Sequence, residues 1–141
     1  MMQNHAMKKN MSQIVELGFL MNPIVPWLGF SPDGIICVNN TLKLWENKTA
    51  TGKAAVGKGA DTVCNFVNYM EGGKLRNKHK YYGQVQLGML LTSTLSCDFT
   101  VYCYTKKEIY VDSIMFNEKF CLDMVDALTK VYFSHILLVM L

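Results

Sequence analysis

The sequence predicts an α/β (α+β) protein in which helices flank a mixed central β-sheet. Short alternating apolar segments with turn residues between them predict two hairpins, over residues 34–47 and 99–113. Helical spacing of apolar residues predicts a helix over 81–92 and a second helix after Asn117. The 141 residues are half apolar and 18% charged, which favours one folded domain over residues 1–141 and excludes a disordered chain.

The N-terminal part is predicted to begin with a short helical stub within residues 1–17. Met11, Ile14 and Val15 have helical spacing, and Gly18 allows the helix to stop. An edge strand is expected at 19–21, and the segment Trp27–Phe30 is expected in the core.

The first hairpin turns at Asn39 and Asn40, so that residues paired across it have numbers that sum to 79. Asp33 then lies opposite Glu46, and Lys48 shares their face because side chains alternate along a strand. Two carboxylates so close repel each other, and a cation between them is expected. The same register places two apolar pairs on the carboxylate face, Ile35 with Leu44 and Cys37 with Leu42.

Residues 49–80 are predicted to form a basic, mobile excursion from the fold. Residues 51–80 carry six Lys or Arg residues against two acids, which suits a polyanionic partner as well as it suits a solvated loop. A helix-like stretch is expected over 61–70. The segment 52–59 matches a phosphate-binding P-loop except at Gly59, where Ser or Thr is required, and a flexible basic loop is the favoured interpretation.

The second half of the chain follows simpler patterns. Tyr81, Gln84 and Gly88 lie on one stripe of the predicted helix over 81–92. Two strands, over 99–104 and 108–113, flank Lys106 and Lys107, and Asn117 is expected to cap the last long helix.

The five cysteines form no C-x-x-C pair and are read as reduced thiols, and the three histidines suggest no metal cluster. No signal peptide and no apolar segment of membrane-spanning length is visible. The sequence therefore predicts an intracellular protein that is not secreted and does not contact a membrane, nuclear in a eukaryote and cytoplasmic in a bacterium or phage.

The acid pair with its lysine is the strongest chemical candidate. Asp33, Glu46 and the backbone carbonyl of Asn47 offer the oxygen ligands that Mg²⁺ prefers, and Lys48 can stabilise developing negative charge. The simpler interpretation is that Asp33 makes a turn after Pro32 and that the other two are surface residues of a strand. Spacing alone favours this simpler interpretation.

A combination of motifs in a fixed order resembles the YqaJ viral-recombinase family. These motifs are Pro26-Trp27-Leu28-Gly29, Ser31-Pro32-Asp33-Gly34, Glu46-Asn47-Lys48, and Tyr81 with Gln84-Val85-Gln86. The family belongs with the lambda-type exonucleases in the PD-(D/E)XK nuclease superfamily, so the resemblance implies a restriction-endonuclease-like fold. It runs from about Gly18 to the final helix.

The resemblance implies a metal-dependent exonuclease that hydrolyses linear duplex DNA during recombination. Asp33 and Glu46 would hold Mg²⁺, or Mn²⁺ in its place, and Lys48 and Gln84 would complete the catalytic set. DNA would contact a basic and polar surface comprising Ser31, Lys53, Lys58, Arg76, Lys78, Lys80 and Tyr81. The family also suggests a ring-like homo-oligomer around DNA.

Three features depart from the family pattern. Asn47 stands where relatives have an apolar residue, Thr49-Ala50 replaces Cys-Pro, and the N-terminal helical region with its additional acid is short. The alternative is therefore a catalytically impaired remnant, apparently shortened at the N-terminus, that acts only by binding nucleic acid.

Overall fold

The computed structural model describes residues 13–50, 67–104 and 106–141. Nine strands and three helices occur in these ranges. The strands are β1 (Ile14–Val15), β2 (Leu20–Met21), β3 (Gly29–Phe30), β4 (Gly34–Val38), β5 (Thr41–Ala50), β6 (Met70–Glu71), β7 (Lys74–Leu75), β8 (Ser96–Cys103) and β9 (Glu108–Met115). The helices are α1 (Lys80–Thr92), α2 (Glu118–Val131) and the short α3 (Leu137–Met140), with a π-helical turn, Tyr132–Ile136, between α2 and α3.

A five-stranded mixed sheet forms the centre of the fold. Its strand order is β1-β4-β5-β8-β9, in which β5 and β8 are parallel and every other neighbouring pair is antiparallel. Two small antiparallel pairs, β2-β3 and β6-β7, accompany it. The predicted fold class, a mixed central sheet with helices packed against it, is confirmed.

The hairpin β4–β5 has the predicted register. Gly34 pairs with Trp45 and Ile35 pairs with Leu44, so the residue numbers of each pair sum to 79, as predicted. The turn residues Asn39 and Asn40 both have positive φ, 50° and 64°, as the two-residue turn demands. The expected apolar face is shorter than predicted, because Leu42 is 58% exposed.

The predicted N-terminal helix is wrong for the described residues. Ile14 and Val15 instead form a strand that pairs with Ile36 and Ile35 at the open edge of β4. β-Branched side chains favour an extended chain, and Ile14 packs against the small buried cluster of Ile36 and Trp45. The free energy gained from this edge pairing outweighs the helical preference that the residue spacing indicated.

Helix α1 lies across one face of the sheet and approaches it most closely at Gly88. A Cβ atom at this glycine would lie 2.6 Å from Cε1 of Phe30 and 2.7 Å from Cδ2 of Leu44. Phe30 and Leu44 are both buried in the main core cluster. The absence of a side chain at Gly88 therefore sets how closely α1 packs against β5.

Gly88→Ala is expected to destabilise the protein by about 1–3 kcal/mol, since overpacking a closed core outweighs the better helix propensity of alanine. Gly83→Ala is the matched control in the same helix, because its Cβ would meet only the Met124 sulfur, at an ordinary 3.6 Å. The control should gain up to about 1 kcal/mol from propensity. Urea denaturation of both variants measures the difference, and equal stabilities would contradict the close packing at Gly88.

Helix α2 begins at the predicted cap, where the Asn117 side chain accepts a hydrogen bond from the backbone N–H of Phe120. The fully buried Gln86 of α1 joins the two helices: its side chain donates to the Met115 carbonyl and accepts from the Asn117 N–H. At the far end, Tyr132 stacks on Trp27 with ring centroids 4.7 Å apart. Trp27 is therefore a docking point for the C-terminal helical segment.

Several predictions lie outside the described residues. These are most of the helix expected over 61–70, the P-loop-like segment 52–59, and the residues Lys53 and Lys58. The described end of the predicted excursion, residues 67–80, contains the β6–β7 hairpin. The expected helix is therefore wrong for residues 67–70, which form a turn and the start of β6. No helix in the described ranges has the length and apolar character needed to cross a bilayer.

Candidate active site

The structure brings Asp33 and Glu46 together where β4 begins. The backbone N–H of Asp33 lies 3.4 Å from Glu46 Oε1, and Asp33 Oδ2 accepts a hydrogen bond of 2.8 Å from the backbone N–H of Asn47. Asp33 is exposed, whereas Glu46 is only 1% exposed. One carboxylate therefore faces solvent, and the other is buried beside it.

The Asn47 carbonyl belongs to the same corner. In an extended strand, the N–H and C=O of one residue point to the same side of the strand. The Asn47 N–H points to Asp33, so its carbonyl oxygen lies on the same side of β5 as Asp33. The Asn47 side chain points to the opposite face of the sheet, on which Trp45 lies.

Lys48 completes the predicted constellation. Its Nζ lies 3.5 Å from Glu46 Oε2, and its side chain is 20% exposed. The same ammonium lies 5.0 Å from the centroid of the Tyr81 ring, at cation–π distance. Helix α1 thus holds an aromatic ring against the lysine of β5.

Gln84 lies on α1 between two residues whose positions over β5 are fixed. Tyr81 faces Lys48, and Gly88 faces Leu44, so the helix stripe runs back along the strand. A residue one turn after Tyr81 is then at the level of Glu46. Gln84 is half-buried and makes no side-chain hydrogen bond with the described residues.

The pKa of Glu46 is raised to about 7, mainly by burial and secondly by the neighbouring Asp33 carboxylate. Lys48 opposes both effects. Ionisation of Glu46 near neutral pH is therefore energetically costly. A divalent cation would favour the ionised form and relieve this cost. The raised pKa mainly reflects the removal of this carboxylate from water.

The donor set fits a hard cation such as Mg²⁺. Two carboxylates and one backbone carbonyl supply oxygen ligands, and Mg²⁺ ordinarily keeps several water molecules. No group of three or more His, Cys, Asp or Glu side chains with metal-binding geometry occurs in the described ranges. From the described residues, a metal at this corner would be held by the two carboxylates and the carbonyl, with water completing its coordination.

The predicted DNA-binding residues fall into two groups. Arg76, Lys78 and Lys80 are exposed and lie directly before and at the start of α1, next to Tyr81. The Lys80 ammonium lies 5.7 Å from the Tyr81 ring, so this basic segment reaches the site. Ser31 is exposed in the short connection between β3 and Asp33.

An aromatic cluster beside the lysine was not expected from the sequence. Tyr69 contacts Tyr81, His79 and Phe99, with ring centroids 5.0, 5.6 and 6.2 Å away. Burial, with a smaller contribution from Tyr81, raises the pKa of Tyr69 to about 12, so its hydroxyl stays protonated at neutral pH. His79 caps α1, its Nδ1 accepting from the Tyr81 N–H.

Asp112 of β9 was also missed. It is 8% exposed and accepts a 2.8 Å hydrogen bond from the backbone N–H of Leu75. The sequence did place Asp112 on the same strand face as the apolar Ile114. This placement could have indicated a partner for Asp112, since charged residues are rarely buried without one.

No protein-family model matches the chain, and no curated protein matches it either. Solved structures do match. The chain is similar to an alkaline exonuclease (LHK-Exo) from Laribacter hongkongensis, with a TM-score of 0.67 and 20% identity over 89% of this chain and 57% of that one. For LHK-Exo in complex with dAMP, the TM-score is 0.68 at 18% identity, over 94% of this chain and 60% of that one. The chain thus spans less than two thirds of these exonucleases, and at these identities the likeness shows that it has their fold.

Proposed function

We propose that the protein is a metal-dependent deoxyribonuclease of the YqaJ type, an exonuclease that hydrolyses phosphodiester bonds of linear duplex DNA. The observation that carries this proposal is the corner at which buried Glu46 meets Asp33 and Lys48. The fold shared with an alkaline exonuclease supports it. Mg²⁺ is the proposed metal, with Mn²⁺ able to replace it.

The residues of the corner divide the chemistry between them. Asp33, Glu46 and the Asn47 carbonyl would hold the metal, which would supply a polarised phosphoryl oxygen and a bound water of lowered pKa. Lys48 would place a positive charge near the negative charge that develops on the phosphate, and the Tyr81 ring at cation–π distance would restrict its position. Gln84, at the level of Glu46, can orient the attacking water through its amide.

The basic segment before α1 is the proposed duplex contact. Arg76, Lys78 and Lys80 are exposed within five residues of one another and lead directly to Tyr81. Phosphate contacts of this kind fix the position of DNA without reading its sequence. An exonuclease that degrades any sequence needs this kind of binding.

The deciding experiment compares linear with covalently closed circular duplex DNA in Mg²⁺, in Mn²⁺ and in EDTA. Loss of linear DNA in either metal, with circular DNA intact and no loss in EDTA, is the expected result. Cleavage of circles would instead indicate an endonuclease. A folded protein that cleaves neither substrate in either metal would refute the nuclease proposal.

The second candidate is a nucleic-acid-binding protein without cleavage activity. One observation favours it: among the described residues, the site contains two carboxylates and no third acidic, histidine or cysteine ligand. Salt-sensitive binding of DNA by a protein that shows no metal-dependent cleavage would identify this candidate.

Lys80→Gln is expected to weaken DNA binding by about two- to tenfold and to reduce the slope of log affinity against log salt by about 1, as the loss of one phosphate contact requires. Lys119→Gln is the control, because Lys119 is an exposed lysine of α2 that pairs with Asp123 within its own helix. Binding measured by anisotropy over a salt series should leave the control unchanged. An unchanged slope for Lys80→Gln would remove this residue from the DNA surface.

A further inference from the structure

Asp112 is a buried carboxylate for which the proposed chemistry has no use. It lies opposite Phe99 in the β8–β9 pair, on the sheet face that it shares with the buried Ile114. An apolar side chain would suit this face, and a carboxylate removed from water requires a hydrogen-bond partner. The partner shows what the carboxylate does.

That partner is the backbone of β7. The Leu75 N–H donates to Asp112 Oδ2 at 2.8 Å within the protein interior. Lys74 Nζ is 3.9 Å from Oδ1, but the Lys74 side chain is 80% exposed, so water screens this ion pair. The bond to Leu75 is therefore the main attachment of the β6–β7 hairpin to the carboxylate.

Backbone hydrogen bonds continue from the hairpin to the start of α1. The Arg76 N–H donates to the Tyr69 carbonyl at 2.9 Å, and the His79 N–H donates to the Arg76 carbonyl at 3.0 Å. His79 Nδ1 then accepts from the Tyr81 N–H at 3.2 Å. The hairpin and the first turn of α1 thus form one connected unit.

The last member of this unit reaches the candidate active site, since the Tyr81 ring lies against the Lys48 ammonium. The buried side chains of Met70 and Leu75 hold the hairpin to the core. Apolar contact is non-directional, however, and does not fix the position of the hairpin along the sheet. A short hydrogen bond to a fixed carboxylate does fix it.

We propose that Asp112 is a positioning residue. It sets the position of the β6–β7 hairpin on the sheet and, through the first turn of α1, holds Tyr81 against Lys48. The kinetic part of this inference rests on the proposed nuclease function, whereas the structural part does not.

The test uses Asp112→Val, whose β-branched side chain suits a strand and an apolar face while leaving the Leu75 N–H without an acceptor. Exchange of the Leu75 amide proton is expected to accelerate by about 10- to 100-fold, the effect of losing a charge-assisted hydrogen bond. The nuclear Overhauser contact between the Tyr81 ring and the Lys48 side chain should weaken. Asp112→Asn keeps an oxygen acceptor and should restore both readouts.

Asp98→Val is the matched control. Asp98 is a buried carboxylate on the neighbouring strand, bonded to Ser113 and Lys43 on the opposite face of the same sheet. Its loss should lower stability and leave the Leu75 exchange rate and the Tyr81–Lys48 contact unchanged. If Asp98→Val changes these two readouts as much as Asp112→Val does, a general loosening of the sheet explains them and the proposal is overturned.

If the protein cleaves DNA, Asp112→Val should lower kcat about 10- to 100-fold with little change in KM, because a displaced Lys48 loses its effect on developing charge. Tyr81→Leu should do the same without changing Leu75 exchange, and the double variant should lose no more than the worse single variant. A fully additive loss would show that Asp112 does not act through Tyr81.

The two proposals fail in different ways. Absence of cleavage by the unaltered protein would refute the nuclease function, and the exchange and ring-contact measurements would still decide the role of Asp112. Unchanged Leu75 exchange in Asp112→Val, or faster exchange with an undisturbed Tyr81–Lys48 contact, would overturn the positioning role while the nuclease function stands.

Discussion

Glu46→Gln is expected to abolish the proposed cleavage, with a loss of at least about 1000-fold, since removing a carboxylate proposed to bind the metal would forfeit several kcal/mol of transition-state stabilisation. Glutamine is nearly isosteric, and Glu46 is almost fully buried, so the packing should persist. Single-turnover cleavage of linear duplex DNA in Mg²⁺ measures the loss.

Glu118→Gln is the control for this substitution, because it removes an exposed carboxylate from the first turn of α2 without touching the site. It should cleave at the unaltered rate. Glu46→Gln should also be at least as stable as the parent protein at pH 8, because the neutral glutamine buries no charge. Retention of even a tenth of the activity by Glu46→Gln would exclude Glu46 as a metal ligand.

The metal-free protein is expected to lose stability as the pH rises from about 5 to 8. The pKa of Glu46 is raised to about 7 in the folded protein from an ordinary value of 4.5. The folded state therefore binds a proton more tightly than the unfolded state. The stability that this proton binding contributes is fully present below pH 4.5 and is lost as the pH rises through 7. The difference between the two pKa values corresponds to about 3 kcal/mol of unfolding free energy.

Chemical denaturation at pH 5, 6, 7 and 8 in EDTA measures this dependence. Glu46→Gln is the control and should flatten it by that amount. Mg²⁺ should stabilise the parent more at pH 8 than at pH 5, because only the ionised carboxylate binds a cation. A parent and a Glu46→Gln variant with the same pH dependence would mean that Glu46 carries no raised pKa.

The geometry of the acid pair was predictable because the hairpin β4–β5 is local. Once Asn39 and Asn40 are recognised as a two-residue turn, simple counting places Asp33 beside Glu46 and places Lys48 on the same face. The helix carrying Tyr81 was also predicted within one continuous segment of the sequence. These elements depend on neighbours in the sequence, and the sequence pattern is sufficient for them.

The remaining errors arise where distant segments decide the structure. Ile14 and Val15 become a strand because β4 offers an open edge, which no local pattern records. The contact between Asp112 and the Leu75 backbone joins segments 37 residues apart. Gln86 was part of a recognised motif, but its buried bonds to Met115 and Asn117 depend on how two helices meet.

The parallel pairing of β5 with β8 has a consequence for the order of folding. The hairpin β4–β5 can close within microseconds, whereas the pairing of Leu44 with Cys97 must close a much longer loop. The two acids therefore meet while they are still hydrated, and Glu46 leaves water only when β8 and α1 dock. Pulse-labelled hydrogen exchange should accordingly protect the Ile36 amide of the hairpin before the Phe99 amide of β8, and the reverse order would contradict this sequence of events.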